Sequence, residues 1–147
     1  MSSGYLLDTS VLSVFAPDRL ALDPSLSEWF RRRAETLYLS AVTVAEIEQG
    51  LCKLNRAGGL ERAARLTAWL DTLLDDFADR VLAFDARVGR IAGRLSDHAV
   101  EIGRHPGFAD VAIGATAAAH DLVLLTRNGR HFQPLGIAFA DPLEGPF

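Results

Sequence analysis

Short apolar runs separated by segments of helical periodicity constrain the fold of this chain more than any other feature. The runs occupy residues 5–7, 37–40, 80–84, 122–126 and 136–139. Continuous apolar runs, rather than alternating ones, are typical of strands in a parallel sheet that is covered on both faces. Strands that alternate with helices favour an α/β architecture. We therefore expect a three-layer α/β/α sandwich around a central, mainly parallel sheet.

The intervening segments repeat apolar residues at spacings of three and four, which is the pattern of one face of a helix. A short predicted helix opens after Asp8 and closes at residues 16–18. Gly58 and Gly59 separate two of the longer helices, and residues 101–108 are a loop that contains glycine and proline. The longer predicted helices cover residues 24–35, 41–54, 60–79, 86–99 and 109–120.

Length and composition indicate one globular domain that spans residues 1–147. The net charge of −4 disfavours a broad basic surface for duplex DNA, so contact with a nucleic acid would be local or mediated by a cation. A single cysteine, Cys52, excludes an internal disulfide and suits a reducing compartment, so we expect a cytoplasmic protein. We expect neither a signal peptide nor a membrane span. Residues 1–4 carry no basic side chain, and no uncharged apolar run reaches about 20 residues.

Polar side chains follow the predicted strands. Asp8 ends the first strand, Glu46 lies in the helix after the second, and Asp110 lies in the first turn of an alanine-rich helix. Thr126 and Asn128 follow the fourth strand. In open parallel sheets, ligands bind outside the carboxyl ends of the strands. We therefore expect these groups to converge at one edge of the sheet.

Three carboxylates at one site repel one another unless a cation neutralises them. A pair about 4 Å apart costs roughly 4 kcal/mol at an effective dielectric constant near 20. Hard oxygen ligands suit Mg²⁺ or Mn²⁺, and such a site can activate water for attack on a phosphodiester. A structural interpretation stays open for each acid alone. Asp8 can cap a helix, and Glu46 and Asp110 can be first-turn acids favoured by the helix dipole.

Four segments together resemble the motifs of the PIN-domain family, and are most like those of its VapC and FitB toxins. The segments occur in the family's order and spacing along nearly the whole chain. They are residues 6–13 (LLDTSVLS), 40–47 (SAVTVAEI), 108–115 (FADVAIGA) and 124–132 (LLTRNGRHF).

The resemblance implies a PIN-like fold and a Mg²⁺- or Mn²⁺-dependent ribonuclease that is the toxin of a type II toxin–antitoxin pair. Asp8, Glu46 and Asp110 would be the metal-binding acids, and Ser10 and Thr126 would support the site. RNA would be the substrate. The resemblance also implies a homodimer, inhibited by an antitoxin that covers the site and supplies any contact with operator DNA.

Asn128 departs from the pattern, because the family often has a fourth acid there, although FitB-like members also carry asparagine. An amide oxygen can ligate a cation or orient a water, so Asn128 stays among the candidate catalytic residues. It carries no charge, so a second metal would bind more weakly. Two alternatives remain open. One is a PIN nuclease of RNA maturation outside any toxin–antitoxin pair, and the other is a degenerate module that only binds its partner.

Other features are weaker signals. Arg127 and Arg130 lie in the fourth segment and are candidates for contacts with RNA phosphates. His131 adjoins them, but metal-activated water requires no base from it. The run of arginines at residues 31–33 is typical of a solvated face. Residues 60–79 carry a wide apolar stripe that either docks an antitoxin or second protomer or packs in the core.

Two other enzyme and signalling classes do not fit the first segment. A haloacid-dehalogenase phosphatase needs a second aspartate two residues after Asp8, where this chain has Ser10. A receiver domain needs paired acids after the first strand, and Asp8 stands there alone with Thr9.

Overall fold

The computed structural model describes residues 4–17, 19 and 21–144. Residues 1–3, which entered the expectation of no signal peptide, and Asp18, predicted to close the first helical segment, lie outside the described residues. The strands within the described part are β1 (Tyr5–Leu7), β2 (Leu37–Ser40), β3 (Val81–Leu82), β4 (Val123–Leu125) and β5 (Phe139–Ala140). The helices are α1 (Thr9–Leu12), α2 (Pro24–Arg32), α3 (Ala41–Arg56), α4 (Leu60–Phe77), α5 (Ala86–Glu101), α6 (Phe108–Ala119) and α7 (Gly129–Phe132).

The five described strands form one sheet in the order β3-β2-β1-β4-β5. Each neighbouring pair is parallel. The central strand β1 pairs with β2 through Tyr5 and Leu37, and with β4 through Leu7 and Leu125. The predicted α/β architecture with a parallel sheet is therefore confirmed.

Both faces of the sheet are covered by helices. Successive strand residues point to opposite faces, and Leu6 and Leu7, both nearly inaccessible to solvent, enter two different apolar clusters. Leu6 packs in a cluster built largely from α5 and α6. Leu7 packs in a second cluster with residues of α1, α2 and α4. The molecule is thus the predicted three-layer sandwich.

The structure corrects the bounds of the two edge strands. The third strand was predicted over residues 80–84 and spans only Val81–Leu82. The fifth was predicted over residues 136–139 but lies at Phe139–Ala140, because a 3₁₀ turn ends at Gly136 with a φ of 70° and delays entry into the sheet. An edge strand pairs on one side only, so its neighbour's register decides where it begins and ends.

The helix bounds differ less from the prediction. Helix α2 ends at Arg32, and a separate 3₁₀ turn occupies Ala34–Thr36. Helix α3 runs to Arg56, α5 runs to Glu101 and α6 begins at Phe108. None of the helices in the described ranges has the length and apolar character that crossing a membrane requires.

Parallel strands bring their carboxyl ends to one edge, and this edge carries the polar residues singled out above. Asp8 follows β1 directly, and its N–H donates to the carbonyl of Leu125 at the end of β4. Ser40 ends β2 and caps α3 by accepting from the N–H of Val42 at 3.0 Å. Thr126 follows β4 and its N–H donates to the carbonyl of Ala140.

Candidate active site

Asp8 is a buried carboxylate that two hydroxyl groups hold in place. Its side chain is 5% exposed and lies between the ends of β1 and β4. Ser10 Oγ and Thr126 Oγ1 each donate to the same oxygen, Oδ2, at 2.8 Å. Asp8 occupies the N-cap position of α1, but its side chain accepts no hydrogen bond from the helix backbone. Helix capping therefore does not explain the carboxylate.

The two hydroxyls donate to Asp8 and accept from the backbone. Ser10 and Thr126 have one hydroxyl proton each, and both are directed at Asp8. The two hydroxyl oxygens lie 3.3 Å apart, a longer contact than either one makes with Asp8. Both oxygens also accept from the backbone, Ser10 from the N–H of Arg127 and Thr126 from the N–H of Asn128, each at 3.0 Å. The loop after β4 is therefore fixed to Asp8 through two side chains.

Asp110 is the second acid of the site and lies in the first turn of α6. Its side chain is 29% exposed. Burial raises the pKa of Asp110 above its ordinary value, and the negative charge of Asp8 raises this pKa further. The imidazole of His131, whose Nδ1 lies 3.4 Å from Asp110 Oδ2, acts in the opposite direction. Asp8 and Asp110 are therefore close enough to repel each other.

Glu46, the third acid, makes a contact of its own with the residue next to Asp8. It lies in the second turn of α3, so the first-turn interpretation does not apply to it. Its Oε1 accepts from Thr9 Oγ1 at 2.7 Å. Thr9 is the first residue of α1, directly after Asp8. The contact ties the second sequence segment to the first.

The structure thus brings Asp8, Ser10, Thr126 and Asp110 together, while Glu46 is joined to them through Thr9. Over the described ranges, no set of three or more His, Cys, Asp or Glu side chains is drawn together tightly enough to enclose a metal ion. The donor chemistry nevertheless fits a divalent cation. Two carboxylates repel each other, the pKa of Asp110 is raised, and no described residue donates to Oδ1 of Asp8. A hard cation would relieve this repulsion.

The remaining candidates line the loop after β4. Asn128 is exposed and precedes α7, and its carbonyl accepts from the N–H of His131 at 2.9 Å. Arg127 and Arg130 are exposed on the same loop and helix. Their positions beside Thr126 keep them available to a phosphate.

Two surface predictions can be compared with the structure. Arg31 and Arg32 form exposed ion pairs with Glu28, at 2.6 and 2.9 Å, as expected for a solvated face. Trp69, on the apolar stripe of α4, packs against the cluster around Leu7. Leu74 is half-buried outside both clusters, so core packing accounts for only part of the stripe.

Sequence reasoning missed two contacts of the site. Thr9 was not among the candidate residues, although its place beside Asp8 was a usable signal. His131 was considered only as a general base that metal-activated water does not require. The structure places its imidazole beside Asp110, within the site. Neither contact can be read from spacing, because the partners are 37 and 21 positions apart in the chain.

Comparison with known proteins agrees with this geometry. The family model described as PIN domain matches residues 5–136. The VapC ribonuclease Y4jK of Sinorhizobium fredii is 36% identical over 143 residues, which cover 95% of this chain and 97% of that protein.

Solved structures show the same likeness. FitAcB from Neisseria gonorrhoeae superposes with a TM-score of 0.81 at 32% identity, covering 96% of this chain and 99% of that one. VapBC-5 from Mycobacterium tuberculosis, a member of the VapBC family of toxin–antitoxin systems, has a TM-score of 0.66 at 28% identity, with 95% and 97% covered. The family model and the relatives span nearly the whole chain, and the chain belongs to the PIN domain family, among its VapC- and FitB-like members.

Proposed function

We propose that this protein is a metal-dependent endoribonuclease and the toxin of a type II toxin–antitoxin pair. The observation that carries the proposal is the buried Asp8, fixed by two hydroxyls beside an Asp110 whose pKa is raised. A bound cation would neutralise the repulsion between these two carboxylates. The relative named VapC ribonuclease and the likeness to a toxin–antitoxin complex support the choice of reaction and biological setting.

The metal would be Mg²⁺ or Mn²⁺, held by Asp8, Asp110 and Glu46. When bound, the metal would lower the pKa of a coordinated water molecule and neutralise negative charge on the phosphodiester. Ser10 and Thr126 hold Asp8 Oδ2 and leave Oδ1 for the cation. The hydroxyls keep the carboxylate oriented, so little reorganisation is needed at the moment of reaction.

The other residues of the site orient and bind. Thr9 fixes the carboxylate of Glu46 at the start of α1. Asn128 offers an amide oxygen for a water or a cation at the edge of the site. Arg127 and Arg130 are exposed beside it and would bind RNA phosphates through charge-assisted hydrogen bonds. Such local contacts are compatible with a net charge of −4.

A groove between α3 and α4 supports an antitoxin as partner. It has a volume of about 300 Å³ and is lined mainly by apolar residues of α3 and α4, including Leu51, Leu66 and Trp69. Arg19 and Arg62 also line it, so an apolar segment with acidic flanks fits its chemistry. Operator DNA would be contacted through that antitoxin, and two toxin chains would form the homodimer.

The proposal is tested by incubating purified protein with tRNA and single-stranded RNA in Mg²⁺, in Mn²⁺ and in EDTA. We expect cleavage with either metal, loss of cleavage in EDTA, and loss of cleavage in Asp8→Asn. Asp121→Asn is the matched control, because Asp121 is exposed in the turn before β4. It therefore lies at the amino end of that strand, whereas the candidate site lies at the carboxyl ends. Its φ of 52° is one that asparagine tolerates.

The outcomes distinguish an active metal-dependent nuclease from a degenerate module. Cleavage that persists in EDTA or in Asp8→Asn contradicts the assignment of Asp8 as a metal ligand. Absence of cleavage together with absence of Mn²⁺ binding in calorimetry would show a degenerate module. Asn128 favours that alternative, because it stands where the family often has a fourth acid.

A further inference from the structure

A row of exposed arginines on α5 takes no part in the site described above. It consists of Arg87, Arg90 and Arg94, which are spaced three and four positions apart along the helix. Residues at this spacing lie on one side of a helix. At a rise of about 1.5 Å per residue, the row extends about 10 Å along the helix axis. These three residues are called the α5 arginine row below.

The row has no acidic partners. Within the residues that the structure describes, none of its three guanidinium groups forms an ion pair with a carboxylate. Arg87 donates instead to the carbonyl of Ala119, at the end of α6, at 2.6 Å. The exposed arginines of α2 differ, because Arg31 and Arg32 both pair with Glu28. The charge of the α5 arginine row is therefore not neutralised by neighbouring side chains.

Charge is divided between the two sides of the sandwich. The first ten residues of α5, 86–95, contain three arginines and no acid, in a chain whose net charge is −4. The acids of this helix are its N-cap Asp85 and, further on, Asp97 and Glu101. Helix α4 packs on the other face of the sheet. Its exposed acids include Asp71, Asp75 and Asp76. A polyanion is thus attracted to the α5 side and repelled from the α4 side.

The row lies in the same layer as two parts of the candidate active site. Val88 of α5, Val111 of α6 and Phe132 of α7 all pack in one apolar cluster. Helix α6 carries Asp110, and α7 carries Arg130. An RNA strand bound at Asp110 would therefore meet α5 on the same side of the sheet, without crossing to the acidic side.

We propose that the α5 arginine row binds the phosphate backbone of the RNA outside the cleaved bond. The inference rests on the proposed ribonuclease function and adds a second RNA contact to it. Guanidinium groups bind phosphates through charge-assisted hydrogen bonds. Over about 10 Å a stacked strand carries roughly three phosphates, which matches three arginines. Such contacts fix the position of the RNA but do not read its sequence. RNA that reaches from the carboxylates to α5 is therefore bound more tightly than a fragment that fills only the site.

The test compares wild type, the double variant Arg90→Gln/Arg94→Gln and the control Arg31→Gln/Arg32→Gln, which removes the same charge from α2. Arg87 is left in place, because its bond to Ala119 also holds α5 on α6. Fluorescence anisotropy in EDTA gives the Kd of labelled tRNA between about 50 and 200 mM KCl. With Mn²⁺, kcat and KM are measured for the RNA that the wild type cleaves and for a hexanucleotide centred on its cleaved bond. Analytical ultracentrifugation gives the mass of each protein.

We expect the double variant to raise the Kd of tRNA about tenfold at the lowest salt concentration. The slope of log Kd against log salt should fall by roughly 1.5, since each lost phosphate contact removes about 0.7–0.9. Its KM should rise for the full RNA and stay unchanged for the hexanucleotide, with kcat unchanged for both. The control should keep the wild-type slope, because its arginines are already paired with Glu28.

Each contrary result has a distinct meaning. If the wild type cleaves RNA but the double variant keeps its Kd and its salt slope, or the control loses as much of both, the α5 arginine row does not bind RNA. If the wild type cleaves no RNA, the proposed function fails, and the binding in EDTA then decides about the row separately. If the double variant changes the sedimenting mass and leaves the Kd unchanged, the row is an interface between protein chains, and the inference is overturned.

Discussion

Thr126→Val isolates what the hydroxyl of Thr126 contributes to the fold. The side chain is completely buried and donates to Asp8 Oδ2 at 2.8 Å, while accepting from the N–H of Asn128 at 3.0 Å. Valine keeps the shape and removes both bonds. A hydrogen bond to a charged group contributes about 1.5–3 kcal/mol and a neutral one about 0.5–1.5 kcal/mol. The free energy of unfolding should therefore fall by roughly 2–4 kcal/mol.

The matched control is Thr116→Val. Thr116 is equally buried, but its hydroxyl donates to the carbonyl of Ala112 within α6, at 2.8 Å, so only a neutral bond is lost. This control should cost about 1 kcal/mol. Urea unfolding in EDTA measures both. At a slope of about 2 kcal/mol per molar, the Thr126→Val midpoint should fall by about 1–2 M. Equal midpoints for the two variants would refute the claim that a buried carboxylate depends on Thr126.

Two further predictions concern charge and packing. Because burial and the charge of Asp8 raise the pKa of Asp110, the stability that Asp110 contributes is fully present below its ordinary pKa of 3.8 and is lost as the pH rises through the raised value. Urea unfolding in EDTA at a series of pH values from 3.8 upward should show the Asp110→Asn variant gaining stability relative to the wild type as the pH rises, and a constant difference would contradict this. In Gly114→Ala the new Cβ would lie 2.8 Å from Leu135 Cδ1, and overpacking of this kind costs about 1–3 kcal/mol. The control Gly93→Ala meets no atom within 4 Å, so it should raise the melting temperature, whereas Gly114→Ala should lower it.

Local pattern was sufficient for the layers of the fold. β1, β2 and β4 are internal strands of a sheet that helices cover on both faces, so each of these strands is a continuous apolar run that the sequence shows directly. The position of Asp8 at the end of such a run indicated a site at the carboxyl edge. The helix bounds followed from periodicity to within a few residues, because an amphipathic face and its breakers are local properties.

The edge strands and the contacts of the site were decided by the tertiary structure. Phe84 reads as a strand residue, yet it lies beyond β3 and packs on Phe108, because β3 pairs only with two residues of β2. The bond from Thr126 to Asp8 joins residues 118 positions apart. No local pattern encodes such a contact, since it depends on the strand order that places β4 beside β1.

The sequence by itself therefore determined which side chains are polar at strand ends, and hence where a site lies. Only the tertiary structure decided how they are paired: Asp8 with two hydroxyls, Glu46 with Thr9, and Asp110 with His131. The physical reason is that hydrogen bonds of about 3 Å depend on the relative placement of whole elements. That placement is set by sheet register and helix packing over the entire chain.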